Sequence, residues 1–290
     1  MFILLFIGFI ILILIRVPVS IAIGAAVLMT FLTSDFSDAL YIIPQQILEG
    51  VNKPSLAAVP FFIMAGNLMN VVGMTDRIFN FANALVGHLR AGLAQVNVLS
   101  SMIFAGVSGA AVADCAGLGA IEIKAMKERG YKPEFAAAVT VCSAVVGPII
   151  PPSIGLVIFA FLAQQSVERM FLAGLIPGVI IGASLMTFNR ILAIKHDFPT
   201  QEKASNREVL ISARDGILAL VAPGIILGSI LGGFVTATEA GVLACVYSMI
   251  LGLIYRTLTF PNLWKALTDT MLMTSVIMII IGFSIAMGWL

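Results

Sequence analysis

The chain has 290 residues, of which 60% are hydrophobic and only 11% carry a charge. Soluble domains carry about 25% charged residues, and 16 basic plus 15 acidic side chains cannot cover the surface of a folded chain of this size. The composition therefore excludes a soluble enzyme and places most of the chain in a lipid bilayer. The net charge of +1 also excludes a basic face for nucleic acid, so we expect no nucleic-acid partner.

The sequence contains three cysteines, Cys115, Cys142 and Cys245, which lie far apart in apolar stretches. Their odd number and wide spacing indicate small core residues and not a disulfide framework or a metal site. The two histidines, His88 and His196, are too few for most histidine metal sites. We therefore expect no bound cofactor.

The first apolar stretch, residues 1–33, is interrupted only by Arg16 and a few hydroxyl side chains. A spanning helix needs roughly 20 apolar residues, so this stretch is too long for one upright span at about 1.5 Å per residue. The sequence from Arg16 to Pro18 predicts a break into two short arms. A single tilted, kinked helix is the alternative.

Further apolar stretches have the length of a membrane span, or nearly so: residues 56–72, 170–189, 216–233, 235–255 and 271–290. Two other segments, residues 76–90 and 261–270, mix charges with apolar residues, as helices at a membrane surface do. The chain is therefore predicted to be an all-α polytopic membrane protein.

The basic residues concentrate in three loops, residues 73–90, 122–134 and 190–215. Because Lys and Arg accumulate in cytoplasmic loops, all three are predicted to be cytoplasmic. Only residues 91–121 separate the first loop from the second, and about 30 residues are too few for two full spans. We therefore predict that this segment is a re-entrant hairpin with its tip near Ser108 and Gly109.

The hairpin segment is rich in small residues, which let two arms approach closely, and its central motif is Gly106-Val-Ser-Gly-Ala-Ala-Val-Ala-Asp114. Gly109 can adopt a left-handed turn, and Ser108 with the free backbone groups of the tip can bind an anion or a cation. Non-helical backbone at membrane depth is tolerated only inside protein or beside a wet cavity. The tip is therefore predicted to line a substrate pathway, and a small-residue patch for helix packing is the alternative.

A second motif interrupts the apolar run 135–163 in its middle with Gly147-Pro-Ile-Ile-Pro-Pro-Ser153. A proline removes a helical N–H and displaces the carbonyl four residues back. The three prolines are therefore expected to free the carbonyls of Ala144, Gly147 and Pro148, which can coordinate a partly dehydrated Na⁺. The half-helix that starts near Ser153 offers its positive end to an anionic substrate. A simple kink is the alternative.

Three polar residues in apolar surroundings each have two interpretations. Asp114 is a functional carboxylate, because a charge at this depth is costly, or a cap of the helix that begins near Gly117. Glu239, in the sequence Thr236-Ala-Thr-Glu, is a site residue or a capping residue at the start of a helix. Asn67 faces either the hairpin or a neighbouring helix, and it is a candidate substrate ligand.

Two polar breaks between apolar arms, residues 16–24 and 234–242, match in pattern and have opposite predicted orientations. This arrangement predicts an inverted-topology repeat. We expect the protein to continue beyond Leu290 by more than about a hundred residues, with a second hairpin and a second broken helix. Four parts are predicted. Residues 1–72 are the scaffold arms of the first repeat, and residues 73–163 are part of the transport domain. Residues 164–215 are a span with its cytoplasmic loop, and residues 216–290 begin an incomplete second repeat.

An intramembrane serine protease is the enzymatic alternative, since Gly106-Val-Ser-Gly resembles the G-x-S-G of rhomboid-type proteases. A serine nucleophile needs a base beside it, but His88 and His196 lie in polar loops and Lys124 lies in a cytoplasmic loop. The sequence also contains no G-x-x-x-x-G-K-[ST] motif for ATP hydrolysis. We therefore predict that the chain is not an enzyme.

Four motifs together resemble the large, DctM-like membrane subunit of tripartite ATP-independent periplasmic (TRAP) transporters: Pro60-Phe-Phe-Ile-Met-Ala-Gly66, Gly106-Val-Ser-Gly-Ala-Ala-Val-Ala-Asp114, Gly147-Pro-Ile-Ile-Pro-Pro-Ser153 and Thr236-Ala-Thr-Glu-Ala240. The resemblance implies a Na⁺-driven symporter that imports organic acids, of the C4-dicarboxylate, sialic-acid or keto-acid type, across the bacterial inner membrane. It also implies an elevator architecture, with a small four-helix membrane subunit and a soluble periplasmic binding protein as partners.

Carried over residue by residue, the resemblance assigns Na⁺ and part of the substrate to Ser108 and Gly109 at the hairpin tip. It assigns the broken-helix part of the same site to Gly147, Pro148 and Pro151. Family members run on through a second hairpin and a second broken helix, which would carry the other half of the site. A stand-alone Na⁺-coupled dicarboxylate symporter of related fold is the alternative. Only the presence of a binding-protein partner distinguishes a TRAP transporter from such a symporter.

Overall fold

The computed structural model describes residues 2–33, 40–195, 198 and 201–290, except for the side chains of residues 107, 108 and 195. Within these ranges the chain forms fourteen α-helices and a 3₁₀ turn at Pro54–Ala57, and it forms no strand. Five described stretches are long and apolar enough to cross a membrane: Pro54–Val71, Val167–Ile194, Asn206–Leu231, Ala237–Ile254 and Phe260–Trp289. The prediction of an all-α polytopic membrane protein is confirmed.

The chain divides into two compact units, and the first consists of Met1–Leu56 together with Met271–Leu290. Its helices are α1 (Phe2–Leu14), α2 (Val19–Leu32), α3 (Ile42–Val51) and the last part of α14 (Phe260–Trp289). A buried apolar cluster joins α2, α3 and α14 and contains Ile23, Val27, Phe31, Ile43 and Ala286. Because apolar burial is the main favourable term in folding, this cluster forms the core of the unit.

The first apolar stretch divides at the predicted position. α1 ends at Leu14, Arg16 has a left-handed backbone with φ of 67°, and α2 begins directly after Pro18. A residue with this φ does not continue a right-handed helix. α1 and α2 pack against each other. The prediction of two short arms is therefore confirmed, and the single kinked helix is wrong.

The second unit, Ala57–Thr270, contains the remaining helices. They are α4 (Ala58–Val71), α5 (Met74–Val86), α6 (Gly92–Ser108), α7 (Ala111–Ala116), α8 (Leu118–Glu128), α9 (Pro133–Ala144), α10 (Ile154–Leu162), α11 (Val167–Lys195), α12 (Asn206–Leu231) and α13 (Ala237–Ile254). Helix α6 packs on α4, α5, α8, α9, α11 and α12. The first arm of the predicted hairpin is therefore the central helix of this unit.

Two predicted boundaries differ from the structure. The hydrophilic loop 190–215 is shorter than predicted, because α11 continues to Lys195 and α12 begins at Asn206. Residues 261–270, predicted as a separate interfacial piece, continue into the final span as part of α14. Polar helical turns extend a span beyond its apolar segment, and hydropathy does not detect them. The inverted repeat, the predicted domain boundaries and the elevator movement stay predictions.

Candidate functional site

The predicted hairpin turns at Gly109. Helix α6 ends at Ser108, Gly109 adopts φ of 59°, and Ala110 is extended before α7 begins at Ala111. A left-handed residue at the end of a helix is most often glycine, since glycine has no Cβ to clash with the neighbouring carbonyl. The turn therefore lies where the sequence places it. The position of this turn relative to a membrane, and the role of the Ser108 side chain, stay predictions.

The second motif interrupts its helix completely. Helix α9 ends at Ala144 and α10 begins at Ile154, and residues 145–153 form a series of turns between them. Within the turns, the N–H groups of Ile149 and Ile150 donate to the carbonyl of Val146 at 3.0 and 2.9 Å. The two helices are thus separate elements and not one kinked helix.

The three carbonyls predicted to be free differ in the hydrogen bonds that they accept. The Ala144 carbonyl accepts a hydrogen bond from the Gly147 N–H at 3.0 Å, and the Pro148 carbonyl accepts one from the Ser153 hydroxyl at 2.5 Å. The Gly147 carbonyl accepts none from the described residues. Because a carbonyl has two lone pairs, the carbonyls of Ala144 and Pro148 each keep one that no described residue uses, and the Gly147 carbonyl keeps both.

The hairpin turn and the broken helix touch each other. The N–H of Ile154, the first residue of α10, donates to the Gly109 carbonyl at 3.4 Å. A Cβ on Gly109 would lie 2.7 Å from the carbonyl oxygen of Pro152, and one on Gly147 would lie 3.5 Å from the backbone of Ala110. The two motifs therefore form one continuous patch of non-helical backbone, with a glycine at each point of close approach.

Ser153 has a defined structural task in this patch. Its hydroxyl accepts a hydrogen bond from the N–H of Leu156 at 3.2 Å and donates to the Pro148 carbonyl, and the residue is fully buried. Ser153 is thus the N-cap of α10. It holds the positive end of the helix dipole next to the turns between α9 and α10. A direct contact of Ser153 with substrate stays a prediction, as does a metal contact of Pro151.

Asp114 lies in α7 and is only 1% exposed. Its two carboxylate oxygens accept no hydrogen bond from the described residues, and the cap of α8 at Gly117 uses no side chain. The interpretation of Asp114 as a helix cap is therefore wrong. The Ser101 hydroxyl lies within interaction range of this carboxylate, but it donates its hydrogen bond to the Ser143 hydroxyl at 3.2 Å.

Glu122 is a second buried carboxylate, and the sequence reading missed it. It is also 1% exposed, its carboxylate oxygens likewise have no partner within the described ranges, and Asp114 is close enough to repel it. The Ser100 hydroxyl lies nearby but donates to the Val96 carbonyl at 2.6 Å. The signal was present in the helical spacing of its apolar neighbours, since Leu118, Gly119 and Met126 face the same way and are all buried.

A hydrogen-bonded network joins α6 to α9 beside these acids. The Asn97 amide donates to the Thr140 hydroxyl at 2.7 Å, and the Ser143 hydroxyl donates to the Asn97 amide oxygen at 2.6 Å. All three residues are at least 98% buried. Since an unpaired buried polar group is costly, the network fixes the hairpin arm α6 against the first half of the broken helix.

The Thr140→Val substitution is expected to lower the free energy of unfolding by about 1–3 kcal/mol, because it leaves the buried Asn97 amide without its acceptor. Thr268→Val is the matched control. The Thr268 hydroxyl is exposed and donates only to the Trp264 carbonyl of its own helix, so we expect a change within about 0.5 kcal/mol. Thermal unfolding of the purified protein measures both, and equal effects would contradict a special role for the network.

The two remaining candidates make local interactions. Asn67 donates to the Thr270 hydroxyl at 3.0 Å, so it faces a neighbouring helix and not the hairpin. Glu239 is exposed and forms a capping box with Thr236, whose N–H donates to the Glu239 carboxylate at 2.7 Å. The capping interpretation of Glu239 is confirmed. Neither residue is placed at the patch formed by the hairpin turn and the broken helix, and a substrate role for either stays a prediction.

Comparison with known proteins identifies the family. The sequence profile described as Tripartite ATP-independent periplasmic transporter, DctM component, matches residues 6–290. The chain belongs to the DctM family. The resemblance stated from the motifs is therefore confirmed. Proteins of this kind are transport permeases and not enzymes, which confirms the prediction that the chain is not an enzyme and removes the protease alternative.

Several relatives are similar over most of the chain. It is 39% identical to the sialic acid TRAP transporter large permease protein SiaM of Vibrio cholerae, over 91% of this chain and 62% of the relative. It is 38% identical to the 2,3-diketo-L-gulonate TRAP transporter large permease protein YiaN of Escherichia coli, over 86% and 59%. It is 37% identical to the C4-dicarboxylate TRAP transporter large permease protein DctM of Pseudomonas aeruginosa, over 84% and 58%. The chain thus spans about six tenths of the length of these DctM relatives.

Proposed function

We propose that this chain is part of the large membrane subunit of a Na⁺-coupled TRAP importer of organic acids in the bacterial inner membrane. Membership of the DctM family and five apolar helices of spanning length support the membrane permease. The observation that carries the proposal is the contact between the Gly109 turn and the start of α10. Two interruptions of helices that meet at one point are typical of ion and substrate sites in secondary transporters.

Na⁺ is the proposed coupling ion, and backbone carbonyls are its proposed ligands. Among the described residues, no donor uses either lone pair of the Gly147 carbonyl, and the carbonyls of Ala144 and Pro148 each have one lone pair left. Hard cations prefer oxygen ligands, and carbonyls of unwound helix ends coordinate Na⁺ in secondary transporters. Ser108 and Gly109 complete the proposed ion site from the hairpin side, and Pro151 supports it from the broken helix.

The proposed substrate is a small organic anion. Helix α10 presents its N-terminus, capped by Ser153, to the same patch, and helix N-termini attract negative charge. The names of the relatives mention sialic acid, 2,3-diketo-L-gulonate and C4-dicarboxylates, which are all carboxylic acids. In an elevator mechanism, the hairpin and the broken helix would carry the anion and Na⁺ together.

The proposed partners are a small membrane subunit and a periplasmic solute-binding protein. The proposal rests on the TRAP names of the relatives. Reconstitution separates it from a stand-alone dicarboxylate symporter. Uptake into proteoliposomes by the full-length large subunit is expected to require both the small subunit and the binding protein. Uptake by the large subunit alone would favour the stand-alone symporter.

Gly147→Ala is expected to raise the half-saturating Na⁺ concentration for uptake by roughly tenfold, which corresponds to about 1.4 kcal/mol of ion binding. A Cβ at this position would lie 3.1 Å from the Ala144 carbonyl oxygen, so the added methyl group displaces a proposed Na⁺ ligand. The measurement is substrate uptake against external Na⁺ in proteoliposomes that contain the complete transporter.

Gly155→Ala is the matched control, because a Cβ there makes only ordinary contacts at 3.6 Å or more. It lies in the first turn of α10, beside the same patch, and should leave the Na⁺ dependence unchanged. An unchanged Na⁺ dependence of the Gly147→Ala protein would refute the placement of the ion site. Uptake by the wild-type transporter without any Na⁺ would refute Na⁺ coupling itself.

A further inference from the structure

A cavity of about 380 Å³ lies in the second unit, away from the hairpin turn and the broken helix. The segment between α5 and α6 lines it on one side, and the last turns of α11 line it on the other. Its lining includes His88, Arg90, Gln95, Met186, Thr187 and Arg190. Nothing in the proposed transport reaction uses these residues.

The charged residues among the described lining of the cavity are both positive. Arg90 and Arg190 are both exposed and both line it, and no carboxylate is among the described residues that do so. Two guanidinium groups that line one cavity give it a positive potential, which attracts anions. Arginine binds phosphate oxygens well, since its planar fork of N–H donors matches their geometry. The charges therefore favour a phosphate group as occupant.

Two residues that line the cavity each have a buried polar atom without a partner in the described part of the chain. Gln95 is 3% exposed, and its amide nitrogen donates to the Met186 carbonyl at 2.9 Å, which leaves the amide oxygen unpaired. The Nδ1 atom of His88 is also unpaired. A buried amide oxygen without a partner is costly, and a head-group hydroxyl that reaches it from the cavity would supply the missing donor.

The surface beside the cavity is apolar and exposed. Leu89 is 39% exposed, and Phe188 and Ile191 on α11 are 57% and 50% exposed. Their neighbours in sequence, Arg90 and Arg190, belong to the loops predicted to be cytoplasmic. Anionic head groups bind basic pockets between spanning helices at this face of the membrane. Acyl chains can then lie along α11 while the head group enters the cavity.

From these observations we infer that the cavity between the α5–α6 segment and α11 is a binding site for an anionic phospholipid with a hydroxylated head group. The two arginines bind the phosphate, and the Gln95 amide oxygen accepts a hydrogen bond from the head-group hydroxyl. Gln95 also ties α6 to α11. The bound lipid therefore stabilises the connection between the hairpin arm and a spanning helix.

The test is binding of dioctanoyl phosphatidylglycerol to the purified, detergent-solubilised full-length protein, followed by thermal shift and native mass spectrometry. Dioctanoyl phosphatidylcholine and inorganic phosphate are the comparison probes. We expect phosphatidylglycerol to bind at least tenfold more tightly than either. Phosphatidylcholine carries a choline cation that offsets its phosphate charge and has no head-group hydroxyl, and inorganic phosphate has no acyl chain to lie along α11. The double substitution Arg90→Gln with Arg190→Gln should weaken its binding about tenfold or more.

A control double substitution, Lys124→Gln with Lys127→Gln, removes the same charge from exposed positions on α8, and it should leave binding unchanged. Equal effects of the two double variants would overturn the site, since any loss of charge would then weaken binding. If inorganic phosphate saturates the cavity and phosphatidylglycerol binds no more tightly than phosphate, the cavity is a site for free phosphate and the assignment to a lipid is wrong. Should the glutamine variant not fold, Arg90→Lys with Arg190→Lys keeps both charges, and this variant must retain the preference for phosphatidylglycerol over phosphatidylcholine.

Discussion

Replacing Gly109 with alanine is expected to reduce substrate uptake by the complete transporter about a hundredfold, since a displacement of about 1 Å in a binding site can cost that much. Gly109 has φ of 59°, and a Cβ there would lie 2.7 Å from the Pro152 carbonyl oxygen and 3.0 Å from the Ile154 nitrogen. Both contacts are with backbone, so no side-chain rotation relieves them. The alanine must therefore separate the hairpin turn from the broken helix. Uptake of a labelled organic acid into proteoliposomes measures the effect.

Gly228→Ala is the control for this substitution. Gly228 lies inside α12, and a Cβ there would meet nothing within 4 Å, so alanine should leave uptake unchanged and stabilise the helix by about 0.5–1 kcal/mol. The Gly109→Ala protein should lose about 1–3 kcal/mol of stability, as a non-glycine residue in this region of backbone space does. Normal uptake by Gly109→Ala would mean that the contact between the two motifs plays no part in transport.

The sequence predicts the helices better than it predicts their contacts. Apolar length identifies the spans, and the positive-φ break at Arg16 and the turn at Gly109 lie where a charge, a proline or a glycine interrupts an apolar run. These signals are local. The bond between Asn67 and Thr270 joins residues 203 positions apart, and the sequence leaves two directions open for Asn67. Partners at such distances are fixed by packing, which no single stretch of sequence encodes.

The candidate site shows the same division. Glycines and prolines mark where the backbone departs from a helix, so the sequence identifies the two motifs of the site. Which carbonyls remain available depends on hydrogen bonds such as that from Ser153 to Pro148, and these follow from the turns between α9 and α10. The burial of Glu122 is hard to predict from the sequence because its positively charged neighbours, Lys124 and Lys127, lie on the exposed side of the same helix.

Replacing Asp114 with asparagine and Glu122 with glutamine is expected to make the protein more stable and its transport slower. The oxygens of both carboxylates accept no hydrogen bond of acceptable geometry within the described ranges, and no described salt bridge involves either acid. The hydroxyls of Ser101 and Ser100 lie within interaction range of Asp114 and Glu122. An amide can donate to the oxygens of Ser101 and Ser100, whose own protons are already directed to Ser143 and Val96. We expect the free energy of unfolding of the double variant to rise by about 1–2 kcal/mol. At roughly 2–4 °C per kcal/mol, its melting temperature should rise by several degrees.

The fall in uptake, about tenfold or more, is expected because buried acids that lack a partner lower the stability of a protein and are retained for function. The exposed Glu202 provides the control, and Glu202→Gln should change neither quantity. The two single variants tell whether one acid or the pair is responsible. A lower melting temperature would mean that the carboxylates have a stabilising cation between them in the native protein. Higher stability with unchanged uptake would make Asp114 and Glu122 buried acids without a part in transport.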